Sequence, residues 1–414
     1  MDRNLRLLGV GVAVRMLGNA LYNPFLALFL VNVLHLGYFE VGAIIAAVGV
    51  VLLPFNLLGG LLTDRFGRRR LILLGLAGEA ATAGGLAYAF AVLSLTGAIA
   101  AALAGGIITS LAGPASSAYI ADFAQGPERT RGFTFYRIGF NAGYSAGVTI
   151  GGLLIASIGF AGAVGVAAVI IASAAGFLTL TLAPSPQDLE LRRSSSSPLP
   201  TASPAPPTPG MRASFRLLAR DRTALELLLA FALAVLVAGQ WAVTFPLYVH
   251  NVLGIPYALL GTGLALNGLV VVFGQTATTE SVLGRRHTSI AALGLGLYAI
   301  SFVGLGAAGL FAVFPTAVFF VAVVVLTIGE NLITIPQATL PSNIAPHGEI
   351  GSYNGAFAMV GGAGFIVSVL LGGAVLGLTS NPLLIWLVLV APVVPALILL
   401  RHAAGRLSAA QNTA

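Results

Sequence analysis

The sequence predicts an all-α membrane protein of twelve transmembrane helices in two pseudo-symmetric six-helix bundles. Three observations predict it: a composition too apolar for water, arginines confined to alternate loops, and a duplication that repeats a basic turn and a stripe of small residues.

Hydrophobic residues make up 57% of the 414 and charged residues 8%, and the mean hydropathy is +0.97. A soluble globule of this size needs more polar surface than that, so the solvent is lipid. Runs such as 39–62, 161–183 and 383–400 are nearly uninterrupted and match the roughly 20 residues a helix needs to cross the hydrocarbon. Membrane-spanning strands are excluded, because they alternate apolar and polar residues over about 10 positions. The predicted spans are 5–30, 39–62, 71–93, 97–121, 134–157, 161–183, 223–249, 257–279, 289–309, 313–337, 351–376 and 383–402.

The net charge of +7 would point to nucleic acid in a soluble chain, but its distribution gives a different reading and excludes that partner. Every basic residue is Arg. All but Arg15 and Arg137 fall before the first span, in the second, fourth, central and eighth connections, or in the tail. The positive-inside rule therefore expects both termini and the central loop on the cytoplasmic side of a multi-pass inner-membrane protein. No cysteine is present, so thiolate metal sites and disulfides are excluded, and neither a metal nor a cofactor is expected. The first thirty residues run into a full span without a small-residue cleavage site and read as a helix rather than a removed signal peptide.

Between the sixth and seventh spans lies a Ser- and Pro-rich stretch that buries too little apolar area to offset the entropy of ordering it. The expected organisation is a bundle over 1–183, a largely disordered linker over 184–222, and a second bundle with a short tail over 223–414. Gly67, Arg68 and Arg69 recur as Gly284, Arg285 and Arg286 at an offset of 217, and Gly143, Gly147, Gly151 and Gly152 recur as Gly364, Ser368, Gly372 and Gly373 at an offset of 221. Parallel repeats joined in this way predict a pseudo-two-fold axis along the membrane normal, with a cavity between the halves.

The turn after the second span reads Gly60-Leu-Leu-Thr-Asp64-Arg65-Phe-Gly67-Arg68-Arg69-Arg70. Gly67 supplies backbone freedom for a short turn, Gly60 permits close packing, and Asp64 can accept from an Arg or a helix N-terminus. A charge-linked turn of this kind can latch one conformation, and Asp122, Glu128, Arg129, Arg131 and Arg137 would complete the cluster; the plainer alternatives are a basic loop obeying topology and an Arg137 that snorkels. The segment resembles the signature loop of the major facilitator superfamily, departing only at Thr63, where a small residue is usual. The glycines of the fifth span resemble the fifth-helix signature of proton-coupled drug antiporters in that superfamily, with Val148 where those proteins carry Pro. Glycines at this spacing equally serve close packing in any membrane bundle.

Ionisable groups inside spans cost roughly 2.5–3.5 kcal/mol each on insertion scales. Arg15 lies about ten residues into the first helix, hence some 15 Å deep, and Glu79 and Glu330 lie inside the third and tenth. One of the two acids is expected to bind the coupling proton, with Arg15 modulating it or meeting an anionic group; the alternative is a static ion pair that orients helices. Asn19, Tyr22, Asn23, Gln240, Trp241, Asn267 and Asn331 are candidate lining of the cavity or packing contacts. The resemblance implies a carrier working by alternating access, with small molecules, protons and membrane lipids as partners and a monomeric state. It leans to export of small lipophilic compounds; uptake symport of a small metabolite, to which Val148 points, and a non-transporting receptor stay open. An enzyme is not expected, since no reactive constellation such as HExxH or GxSxG is present.

Overall fold

The computed structural model describes residues 2–124, 126–194, 220–312, 314–346 and 349–413, and within its helices the side chains at Asp64, Arg129 and several other positions lie outside that description. The first span is two helices, α1 (Arg3–Ala20) and α2 (Leu26–Asn32), separated by a 3-10 turn over Asn23–Phe25. Pro24 has no amide to continue the ladder, so the helix breaks there. Next come α3 (Tyr38–Phe66), α4 (Arg68–Ala91) and α5 (Leu95–Phe123). α6 (Gly126–Thr181) contains both the fifth and sixth predicted spans, turning between them at Gly159, whose φ of 72° and ψ of 176° no other residue adopts easily.

The second half repeats the pattern. Its first span divides into α8 (Arg222–Ala238) and α9 (Thr244–Asn251) around a 3-10 turn over Gly239–Trp241, and Pro246 stands 222 residues after Pro24. α10 (Tyr257–Val282), α11 (His287–Phe311), α12 (Pro315–Ile344) and α13 (Ile350–Leu378) follow, and the last span is α14 (Pro382–Val390) with α15 (Val393–Ala404). Among the described residues ten stretches are long and apolar enough to cross a membrane. One of them, Arg131–Thr181, turns at Gly159 and makes two crossings, and α3 supplies the remaining span, giving twelve. The sole strand-like feature among the described residues is an isolated bridge between Arg286 and Thr413.

Two compact units emerge. The first comprises Met1–Leu36, Ala47–Ala202 and Pro256–Leu269; the second comprises Gly37–Ala46, Ser203–Ile255 and Val270–Ala414. The start of α3 thus packs with the second unit and the start of α10 with the first. Small residues explain it. In the second unit a Cβ on Gly42 would meet the Val369 carbonyl at 2.9 Å and the Gly373 Cα at 3.3 Å, and in the first a Cβ on Gly261 would collide with the Val148 carbonyl. The first unit's core gathers Leu8, Val12, Met16, Ile72, Leu76, Tyr119 and Leu178. In the second unit Trp386 stacks on Phe302 with ring centroids 4.4 Å apart and meets Tyr248 edge-on at 5.1 Å.

The expected disordered linker begins with a helix, α7 (Pro186–Ser194). Ser185 and Asp188 form a reciprocal box: the Ser185 amide donates to Asp188 Oδ2 at 2.8 Å, and the Asp188 amide to Ser185 Oγ at 3.2 Å. The chain end does the same in α16 (Ala409–Asn412), where Ser408 and Gln411 make a capping box 223 residues later. Residues 195–219 of the expected linker lie outside the described residues, and Arg222, its last expected residue, already begins α8.

Candidate functional site

Arg15, Asn19 and Asn23 recur at intervals of four and so share one stripe of the first span. Glu79 of α4 sits opposite, 4% exposed. Arg15 donates from Nε to Glu79 Oε2 at 2.6 Å, Asn19 donates from Nδ2 to Oε1 at 3.1 Å, and Asn23 donates to Asn19 Oδ1 at 3.2 Å. Both carboxylate oxygens are therefore engaged, which is what keeps a buried charge in place. Tyr22 is half-buried within electrostatic reach of both charges. Arg15 and Glu79 line a cavity of about 30 Å³ together with Gly75, Thr109, Ala112 and Ser116. That volume is enough to admit water beside the pair.

The remaining polar candidates divide by unit. Glu330 is half-buried within electrostatic reach of Tyr298 of α11. Asn331 is 1% exposed and donates to the Val270 carbonyl at 3.5 Å, tying α12 to α10. Gln240, a candidate for cavity lining or packing, is fully buried and donates to the Leu236 carbonyl at 2.9 Å and Ser368 Oγ at 2.8 Å while accepting from Thr244 at 2.6 Å. An amide so saturated serves as packing glue, the second of the two roles open to it from the sequence. Trp241 packs on Phe245 with centroids 4.5 Å apart, and Asn267 is buried in the first unit. A larger cavity of about 250 Å³ in the second unit has Leu228, Phe231, Val235 and Phe357 as walls, with Gln337 and Asn354 as its polar groups.

At the arginine-rich end of the first unit, Gly67 has φ 90° and ψ 152°, and α4 starts immediately after it. Arg68 is buried, donates to the Thr63 carbonyl at 2.9 Å and pairs with Asp122 at 3.2 Å. Ser185 Oγ donates to the same Asp122 at 2.7 Å. Arg69 donates to the Leu182 and Thr179 carbonyls. The acid on the helix N-terminus is Asp188 of the linker, whose Oδ1 accepts from the Arg68 amide at 2.6 Å and Oδ2 from the Arg69 amide at 3.1 Å. This contact escaped the sequence reading, although Ser185-Pro-Gln-Asp188 is a helix-start signature. The second unit mirrors it without charge: Asn412 Oδ1 accepts from the Thr288 amide at the start of α11 at 3.0 Å.

Other expected latch residues are not drawn in. Arg131 pairs with Glu128 one turn away, both well exposed, and Arg65, Arg70 and Arg137 are exposed. The Gly60 and Asp64 positions and the Arg129 side chain lie outside the described features. The glycines of the fifth span have an explicit role. Gly143, Gly147 and Gly151 face the carbonyls of Ala13, Leu17 and Leu21, and Gly152 faces Tyr257, so that a Cβ at any of them would strike main chain. Repeats of four on both helices let α1 and α6 approach to backbone contact.

A model of the Major Facilitator Superfamily matches residues 8–369. The uncharacterized MFS-type transporter YttB of Bacillus subtilis (strain 168) is 29% identical over 145 residues, 34% of this chain; the match spans about a third (35%) of that relative's length. Among solved structures, the nucleoside transporter NupG aligns with a TM-score of 0.73 at 14% identity, over 97% of this chain and 99% of that one. A POT family transporter in complex with a thioalcohol conjugated peptide aligns with a TM-score of 0.74 at 15% identity, over 98% and 97%. At these identities the likeness to the solved structures is one of fold. With the family model matched over most of its length, the duplicated helices take their place in a known architecture: the chain belongs to the Major Facilitator Superfamily.

Proposed function

We propose that the protein is a proton-coupled carrier of the cytoplasmic membrane, working by alternating access, that exports small lipophilic compounds with both termini in the cytosol. The observation that carries this reading is the Arg15–Glu79 pair, set inside the spans and lining a cavity of about 30 Å³. A charge pair inside a span is a liability for folding and is retained where it works. Protonating Glu79 removes the charge that holds Arg15 and Asn19, so a single proton rearranges contacts between α1 and α4. The cavity of about 250 Å³ in the second unit supports the substrate class, since no charged residue is among its described lining and phenyl rings form its walls.

Everted membrane vesicles with an acid lumen test both parts. Adding a transported lipophile alkalinises the lumen if substrate and proton exchange, whereas further acidification would mean symport and tight binding without flux a receptor. Glu79→Gln is expected to leave substrate binding and abolish the proton response. Unchanged coupling in Glu79→Gln and in Glu330→Gln overturns the assignment of the proton to a membrane acid.

A further inference from the structure

Beside the latch turn, the first unit holds a cavity of about 540 Å³ that the transport reading does not use. Arg65, Arg69 and Arg70 line it, with Phe66, Leu73 and Leu74 as its apolar wall. The single acid among the described residues of its lining is Asp188, whose oxygens already accept from the Arg68 and Arg69 amides. Among the described residues, three guanidinium groups against one carboxylate leave the lining net positive. The amides at the start of α4 are already capped, so the charge on offer is that of the arginines. Arg69 is anchored through main-chain carbonyls, which do not neutralise it. Arg65 and Arg70 are exposed, and no ion pair forms on either among the described residues.

The apolar part is placed as a lipid would require. Leu73 and Leu74 follow Arg69 and Arg70 by four residues and so lie one turn further along the same faces of α4. Leu74 is 57% exposed and Phe66 46% exposed. A cationic rim above an exposed apolar turn, at the end of a membrane-spanning helix, complements an amphiphile with an anionic head. A soluble phosphate would gain nothing from the leucines. We infer that this cavity binds the headgroup of an anionic phospholipid, with Arg65 and Arg70 contacting the phosphate and Leu73 and Leu74 the upper acyl chains.

Native mass spectrometry of the full chain, released from nanodiscs of phosphatidylcholine with added phosphatidylglycerol, tests it. The wild type is expected to retain phosphatidylglycerol preferentially. Arg65→Gln with Arg70→Gln is expected to reduce that preference about thirtyfold, from the roughly fivefold each basic residue contributes near a membrane surface. Arg3→Gln with Arg6→Gln removes the same charge elsewhere and should leave the preference intact. Leu74→Glu keeps both arginines and should still abolish retention. An unchanged preference in the Arg65/Arg70 variant overturns the site. So does displacement of the lipid by glycerol 3-phosphate, which would identify a soluble phosphate as the ligand.

Discussion

Replacing Gly67 by Ala probes how the linker is tied to the third span, and Gly284→Ala at the repeated position is its natural comparison. Gly67 occupies φ 90° and ψ 152°, a region open almost only to glycine, and a residue forced there costs about 1–3 kcal/mol. The added Cβ would also land on Asp188 Oδ1. Moving Asp188 away stretches the bond it accepts from the Arg68 amide at 2.6 Å, and a charge-assisted bond of this kind contributes about 1.5–3 kcal/mol. The two effects together amount to about 2.5–6 kcal/mol. Gly284 also has positive φ, 75°, but a Cβ there meets nothing within 4 Å, leaving only backbone strain of about 1–2 kcal/mol. Thermal unfolding in detergent, followed by far-ultraviolet circular dichroism of the whole helical chain, should therefore place Gly67→Ala well below Gly284→Ala. Combining Gly67→Ala with Asp188→Ala should recover part of the loss, because the collision partner is gone. Equal midpoints for the two glycine variants, or strict additivity of the Gly67 and Asp188 changes, would refute the reasoning.

Arg15→Met leaves Glu79 buried without its cation and should destabilise the protein by about 3–5 kcal/mol, whereas Arg15→Met with Glu79→Met should fold nearly as well as the wild type yet show no proton response; a melting curve and a vesicle pH assay check both. Gly147→Val drives a side chain into the Leu17 carbonyl and should abolish folded protein in size-exclusion chromatography, while Gly165→Ala, where a Cβ meets nothing within 4 Å, should be neutral. Asn412→Ala removes the cap on the Thr288 amide and should cost about 1 kcal/mol, read as a modest fall in the melting midpoint and faster amide exchange at the start of α11.

Helix count, the duplication and the glycine stripe follow from the chain read in one dimension, because crossing lipid demands long apolar runs and close packing demands small residues at helical spacing. Arg15 and Glu79 could be named as buried ionisable groups for the same reason. That they bond to one another, with Asn19 completing the carboxylate's shell, depends on how α1 and α4 face each other, and sequence spacing carries no such information. Gln240 shows the opposite case: a polar residue in a span reads alike whether it faces a cavity or, as here, saturates itself against Ser368 and Thr244. Asp188 was hidden by its surroundings, a Ser- and Pro-rich stretch whose average composition outweighed one local helix-start signal. Composition and periodicity thus determined the medium, the number of crossings and the repeat. Which charges meet was decided by tertiary structure alone, since a salt bridge needs a few ångströms in space and is indifferent to the 64 residues separating Arg15 from Glu79.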